Sequence, residues 1–311
     1  MRYVDLFHGA GGASAGAAQA GWECIGAVDN CAPARRIYAA NFPTHACHDL
    51  DLAEDLPEEL ADAWRAALVD GAVVGGPPCQ DYSSARRTAP RDRAALTVAF
   101  VRHAVRLHPR WIVLENVVRA QRSDEFREAC DYLRDNGYHV RTRLVDARTA
   151  GLPQRRTRVV LTAARSEAAL DAAHAHMDTL FDAPPTTIRE CFATAGLECT
   201  ADHVFFPACN QRARQSVFSV DGPAPTIRTI VRPLRARYPF VPKDSTSDRA
   251  RVMPTLTARH HAAIQGFPAT YAWVGTLTDC ARGIGNAVPP PVMRRVATAL
   301  TACTPDPPGS S

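Results

Sequence analysis

The first 165 residues alternate short apolar runs with helical stretches, and this restricts the chain more than any other feature. The runs lie at 3–7 (YVDLF), 24–29 (CIGAVD), 71–76 (GAVVGG), 110–116 (RWIVLEN) and 157–163 (TRVVLTA). They are short and nearly continuous in apolar residues, which predicts strands buried on both faces. Helical patterns occupy 12–21, 32–42, 92–107 and 124–136. Strand and helix in alternation predict an α/β fold, a mostly parallel sheet with helices on both faces. Ligands of such sheets sit at the carboxyl ends of the strands. After about Arg165 the character changes. Residues 183–250 hold many prolines and few helical periods, which predicts a second, smaller, irregular domain. Residues 283–300 (GIGNAVPPPVMRRVATAL) predict a loop leading into a helix, and 304–311 a disordered tail.

The length of 311 residues suits one large and one smaller domain. A net charge of +4 permits a nucleic-acid partner without requiring one. Lys243 is the single lysine; the other basic residues are arginines, as expected of a GC-rich genome. Ten cysteines are scattered without C-x-x-C pairs or zinc spacing, which predicts reduced thiols and no metal. No secretory signal or membrane span is predicted, so the chain is expected to be cytoplasmic.

Several short motifs carry chemistry. DLFHGAGG (5–12) places glycines between a strand and a helix, where the backbone can approach a ligand closely. Such turns are common, so the motif is weak alone. Asp29 ends the second strand about twenty residues on, a spacing that suits ribose hydroxyls. Asp49 could accept from an adenine amino group. Either acid alone is more often a solvated loop residue; together they describe a nucleoside pocket. Cys79 follows the strand GAVVGG and two prolines. Pro77 and Pro78 fix two φ angles and hold the approach to the thiol rigid. The arginine-rich stretch beyond reads as a lid over a charged substrate. Glu115 ends an apolar strand, where burial should raise its pKa. Arg156 and Arg158 are two residues apart, which on a strand places them on one face.

In this order the motifs resemble the DNA (cytosine-5)-methyltransferases, over most of residues 1–165 and 255–300. DLFHGAGG resembles the family's first S-adenosylmethionine motif, GGPPCQDYS its nucleophile motif, and ENV the motif whose glutamate contacts the cytosine ring. QRRTR resembles its arginine motif, LTARHHAAIQGFP (256–268) the block supporting the recognition domain, and GNAVPP the last cofactor motif. The resemblance implies an S-adenosylmethionine-dependent, Rossmann-like fold. It divides the chain into a catalytic and cofactor-binding domain (1–182), a target-recognition domain (183–278) and a segment returning to the catalytic domain (279–303).

It also implies roles. Cys79, Glu115, Arg156 and Arg158 would be catalytic. Phe7, Gly9, Ala10, Gly12, Asp29, Asn30, Asp49, Leu50, Asn286 and Ala287 would bind S-adenosyl-L-methionine. Pro78, Gln80, Ser83, Asn116, Gln154, Arg228 and Arg232 would touch the substrate. The activity implied is methyl transfer to carbon 5 of a flipped cytosine through a covalent bond from Cys79 to C6. The partner would be double-stranded DNA, with a cognate restriction endonuclease acting separately, and the enzyme a monomer. Two rivals stand beside this: a tRNA cytosine-5 methyltransferase of the same fold, and a catalytically silent DNA-binding regulator. ECFAT (190–194) is similar to a tripeptide of the tRNA branch but departs at Ala193 and fits an ordinary helix. His260 stands where the family usually has glutamate and is read as structural. Ala287 stands where serine is frequent, which removes a side-chain contact to the cofactor carboxylate.

Overall fold

A computed structural model describes residues 1–78, 95–207 and 215–304. Its centre is a sheet built from β1 (Arg2–Leu6), β2 (Glu23–Val28), β3 (Cys47–His48), β4 (Ala72–Gly75), β5 (Trp111–Val117), β6 (His139–Asp146) and, after the two-residue β7 (Gln154–Arg155), β8 (Thr157–Ala164). The seven strands lie in the order β3-β2-β1-β4-β5-β8-β6. The first five are parallel. β8 runs antiparallel between β5 and β6. The expected mostly parallel sheet is therefore present.

Strand alternation separates two cores. Ile112 and Leu114 of β5 pack toward α3 (Glu58–Ala67), α4 (Ala95–Leu107) and α5 (Asp124–Asp135). Trp111 and Val113 pack the other way, toward α1 (Gly12–Gln19), α6 (Glu167–Leu180) and α10 (Pro290–Ala302). α2 (Ala32–Asn41) follows β2. The alanine-rich α1 has no bulky apolar stripe; small residues let α10 approach instead. A Cβ on Gly12 would lie 2.1 Å from the Val288 carbonyl oxygen, and one on Gly16 2.4 Å from that of Pro290. Trp22 Nε1 donates to Thr301 Oγ1 at 2.8 Å and ties the two ends of the chain together.

The smaller region contains α7 (Ile188–Thr194), β9 (His203–Phe205), β10 (Val217–Ser219), β11 (Ala224–Pro225), β12 (Val252–Met253) and α8 (Ala258–Gln265). Its core is continuous with the glycine loop: Phe192, Val204, Ile227 and Ile264 share one cluster with Ala10 and Ile37. α9 (Leu277–Asn286) runs through Gly283–Asn286, so the loop expected there is helix, and a division at 278/279 falls inside it. A capping box from Thr276 to Asp279 starts this helix, which the GIGN sequence alone concealed. β6 was also not expected. It is an edge strand whose Arg141 and Arg143 pair with Asp171 and Asp178 of α6, so its composition is polar.

One carboxyl lies beneath the glycine loop. Asp5 in β1 is fully buried, accepts from Ser14 Oγ at 2.7 Å, and has no hydrogen-bond partner at Oδ1 among the described residues. Burial raises its pKa from 3.8 to about 7. A raised carboxyl stabilises the fold below its unfolded pKa, and that stability is lost as pH rises through the folded pKa. Asp5→Asn keeps an acceptor for Ser14 and cannot ionise. Its advantage over wild type should grow between about pH 4 and pH 7 to at most roughly 4 kcal/mol. Melting temperatures at pH 5 and pH 8.5 check this; an equal gap at both pH values removes Asp5 as the cause.

Candidate active site

The carboxyl ends of β1, β2, β4 and β5 converge on one edge of the sheet. After β1 the chain turns sharply, with Phe7 at φ 61°, a conformation rare for a residue with a side chain. The turn is fixed from below. Asp29, just past β2, accepts from Gly9 N at 2.9 Å and from Cys31 N at 2.8 Å, one bond to each carboxylate oxygen. A carboxylate offers about four lone-pair sites, so Asp29 keeps capacity for two hydroxyls of a ribose. This half-buried acid beside a strained glycine turn fits the sugar of S-adenosylmethionine. Asn30 is exposed beside it. Asp49 is exposed and pairs with Arg35 at 2.5 Å, with half-buried Leu50 following.

Ala10, Gly12, Asn286 and Ala287 are also expected at the cofactor. Ala10 is buried, and its carbonyl accepts from Tyr271 Oη at 2.5 Å. Gly12 lies against Val288, in the link between α9 and α10, with no room for a Cβ. Asn286 ends α9 and is exposed, whereas Ala287 is buried.

Glu115 lies at the outer end of β5. Its carboxyl is 8 % exposed, and Oε1 is 3.2 Å from Arg158 Nε. Oε1 has no directed hydrogen bond among the described residues. Burial pushes its pKa up, against a smaller opposing pull from Arg158 and then Arg156. Gly76, whose Cβ position would be 3.8 Å from Glu115 Oε2, brings the Pro77–Pro78 segment alongside. Asn116 Nδ2 donates to the Pro77 carbonyl at 3.4 Å, and Asn116 Oδ1 accepts from Val117 N at 2.8 Å. Asn116 thus holds the strut ahead of Cys79. Pro78 is half-buried. Cys79, Gln80 and Ser83 lie outside the described residues.

The arginine motif divides. Arg158 reaches Glu115. Arg156 falls between β7 and β8 and, like Arg158, acts on the Glu115 carboxyl. It is 2 % exposed and donates to the carbonyls of Ile227, Gly285 and Ala287. Gln154 is also fully buried. It accepts from Ile227 N at 2.9 Å and donates to Gln265 Oε1 at 2.7 Å. Gln265 in turn donates to the carbonyls of Ile284 and Ala287. Arg156 and Gln154 thus bind the segment after β11 to the end of α9. The apolar burial of QGFP is what made Gln265 easy to overlook.

His260 caps α8: its Nδ1 lies 2.7 Å from Thr257 Oγ1, replacing the usual glutamate in a capping box. ECFAT forms the last five residues of α7, with Phe192 fully buried. Arg228 and Arg232 are exposed on the segment after β11. Eight free cysteines and no metal-binding cluster occur among the described residues.

The sequence pattern of the C-5 cytosine-specific DNA methylase family matches residues 1–302. The Type II methyltransferase M.HgiDI of Herpetosiphon aurantiacus is 38% identical over 304 residues, covering 97% of this chain and 94% of that protein. M.HindV of Haemophilus influenzae is 34% identical, covering 96% of each. The solved methyltransferase EhMeth of Entamoeba histolytica superposes with a TM-score of 0.70 at 16% identity, over 97% of this chain and 98% of that one, a likeness of fold. The glycine turn, the buried glutamate and the arginine beside it thus stand in a matching framework, and the chain belongs to the C-5 cytosine-specific DNA methylase family.

Proposed function

We propose that this chain methylates carbon 5 of cytosine in DNA with Cys79 as nucleophile and Glu115 and Arg158 as the groups that hold the ring. The observation that carries these roles is a buried carboxyl, raised in pKa and ion-paired to Arg158, whose Oε1 has no directed hydrogen bond among the described residues, beside the strut that leads into Cys79. The target base must leave the stack, because its C5 and C6 are covered within the duplex. Cys79 as thiolate attacks C6. Glu115 in its protonated form donates to N3, so charge gathers at C5. Arg158 donates to the base carbonyl while pairing with Glu115. Bound S-adenosylmethionine supplies the methyl group as an electrophile. Water then takes the C5 proton, and the electrons of that bond expel the Cys79 thiolate.

Asp29, Asn30, Asp49 and the turn at Phe7 and Gly9 would hold the cofactor. Asp29→Ala should weaken its binding by roughly 1–3 kcal/mol, the usual cost of removing hydrogen bonds to a charged group. Calorimetry on the variant, with Asp29→Asn as a control for the turn, measures this. An unchanged affinity would take Asp29 out of the ribose role.

The partner is double-stranded DNA. We further propose a monomer in the cytoplasm, protecting host DNA from a separate cognate endonuclease; no helix among the described residues is long and apolar enough to cross a membrane. A DNA substrate is favoured over tRNA by the matching family. Bisulfite sequencing of unmethylated DNA after incubation with enzyme and S-adenosylmethionine should show modified cytosines in one sequence context. Modification of tRNA with none in DNA would overturn the substrate; no product on either would overturn the activity.

A further inference from the structure

A three-residue spacing on a helix places two side chains on one face, and this chain uses it repeatedly to set an arginine beside an acid. Arg65 pairs with Asp62, Arg127 with Asp124 and Arg134 with Asp131. One turn departs from this habit. A 3₁₀ turn after β5, Val118–Arg122, carries Arg119 and Arg122 at the same spacing. In a 3₁₀ helix residues i and i+3 eclipse, so the two side chains rise side by side, about 6 Å apart along the axis. Both are exposed, and neither has an acid partner among the described residues. Asp124, the next acid in the chain, is taken by Arg127. Two like charges so placed repel each other, and an anion lying across both relieves the repulsion.

The turn stands where the substrate must arrive. It follows Glu115, Asn116 and Val117 directly. Val117 lies opposite Arg158 in the pairing of β5 with β8. Arg155, just ahead of β8, lies at the same end of the sheet and is also exposed. Of the described arginines before residue 182, Arg119, Arg122 and Arg155 are the ones exposed with neither an acid nor a carbonyl bonded to the side chain. The rest are taken up, as Arg106 is by Glu58, Arg141 by Asp171 and Arg165 by the carbonyls of His108 and Pro109. The turn is also firmly rooted. Ala120 is fully buried in one cluster with Phe126 and Leu133 of α5. Gln121 Nε2 donates to Thr142 Oγ1 at 3.2 Å, and Ser123 Oγ accepts from Phe126 N at 3.1 Å to start α5. The two arginines therefore spring from a fixed place relative to the Glu115 carboxyl.

We infer that Arg119 and Arg122 hold two backbone phosphates beside the flipped cytosine, which makes the turn after β5 a DNA-docking element. The inference rests on DNA as the substrate. Guanidinium groups on phosphates position the duplex without reading its sequence. Their loss should weaken all DNA alike and leave the methylated site the same.

The test uses the full-length enzyme and a duplex of the site mapped by bisulfite sequencing, with binding followed by fluorescence anisotropy as salt is raised. Each neutralised phosphate contributes about 0.9 to the slope of log affinity against log salt. Arg119→Gln combined with Arg122→Gln should flatten the slope by roughly 2 and weaken binding by roughly tenfold or more at low salt. It should raise KM for DNA more than it lowers kcat. Arg119→Lys combined with Arg122→Lys keeps both charges and should keep the slope. Uncharged methylphosphonate linkages on either side of the target cytosine should cost wild type the same affinity and cost the glutamine variant nothing further. Both side chains are exposed, so the variant should melt with wild type; if it does not fold, the single variants decide, each flattening the slope by about 0.9. An unchanged slope would overturn the inference. So would a lysine variant as weak as the glutamine one, methylphosphonate losses that add to those of the variant, or an altered methylation site. Wild type that neither binds nor methylates DNA would instead overturn DNA as the substrate.

Discussion

Cys79→Ser should lose methyl transfer by on the order of 10⁴-fold or more, the scale seen when a covalent nucleophile is removed. A serine hydroxyl is almost wholly protonated near neutral pH, whereas a thiol near a cation is partly thiolate. The sharper readout is the covalent intermediate. With 5-fluorocytosine at the target position, C5 has no proton to lose after methylation, and the adduct cannot resolve. Wild type should then give a protein–DNA species that survives denaturing gels and depends on S-adenosylmethionine. The serine variant should give none. Adducts of normal yield in Cys79→Ser would move the nucleophile to another of the ten cysteines.

Glu115→Gln should cut kcat by roughly 10²–10³-fold, the range for a positioned acid or base. The glutamine amide can still donate to N3 but cannot pass a proton. DNA affinity should change little, because the carboxyl acts mainly in the transition state. The pH dependence has a definite sign. Burial raises the Glu115 pKa, so the protonated, donating form persists further toward neutral pH. Wild-type kcat should fall as pH rises through that raised pKa, and the glutamine variant should lack this fall. A variant with the same profile as wild type would assign the titration to another group. Loss of DNA binding in parallel with kcat would make Glu115 a binding residue.

Much of this was legible in the sequence, and the reasons differ by element. β4 and β5 are buried on both faces, so their continuous apolar runs announced them. β6 was illegible because its edge position exchanges apolar residues for arginines paired to α6. Glu115 could be placed because it ends a readable strand. The partners of Arg156 could not, because the carbonyls of Ile227, Gly285 and Ala287 lie far along the chain. The smaller region is held by pairings distant in sequence, such as β9 with β12, which leave no local pattern.

The bond from Trp22 to Thr301 spans 279 residues, and Gly12 meets Val288 across a similar interval. The first helix of the protein therefore waits for the last one. During synthesis at about 5–20 residues per second, the glycine turn emerges early while the chain that must cover it is still unmade. Closing a contact of such separation is an entropic obstacle to rapid folding. A growing chain would expose α1 until residues 288–301 arrive to cover it. The packing around α1 so built cannot close until residue 301 has left the ribosome.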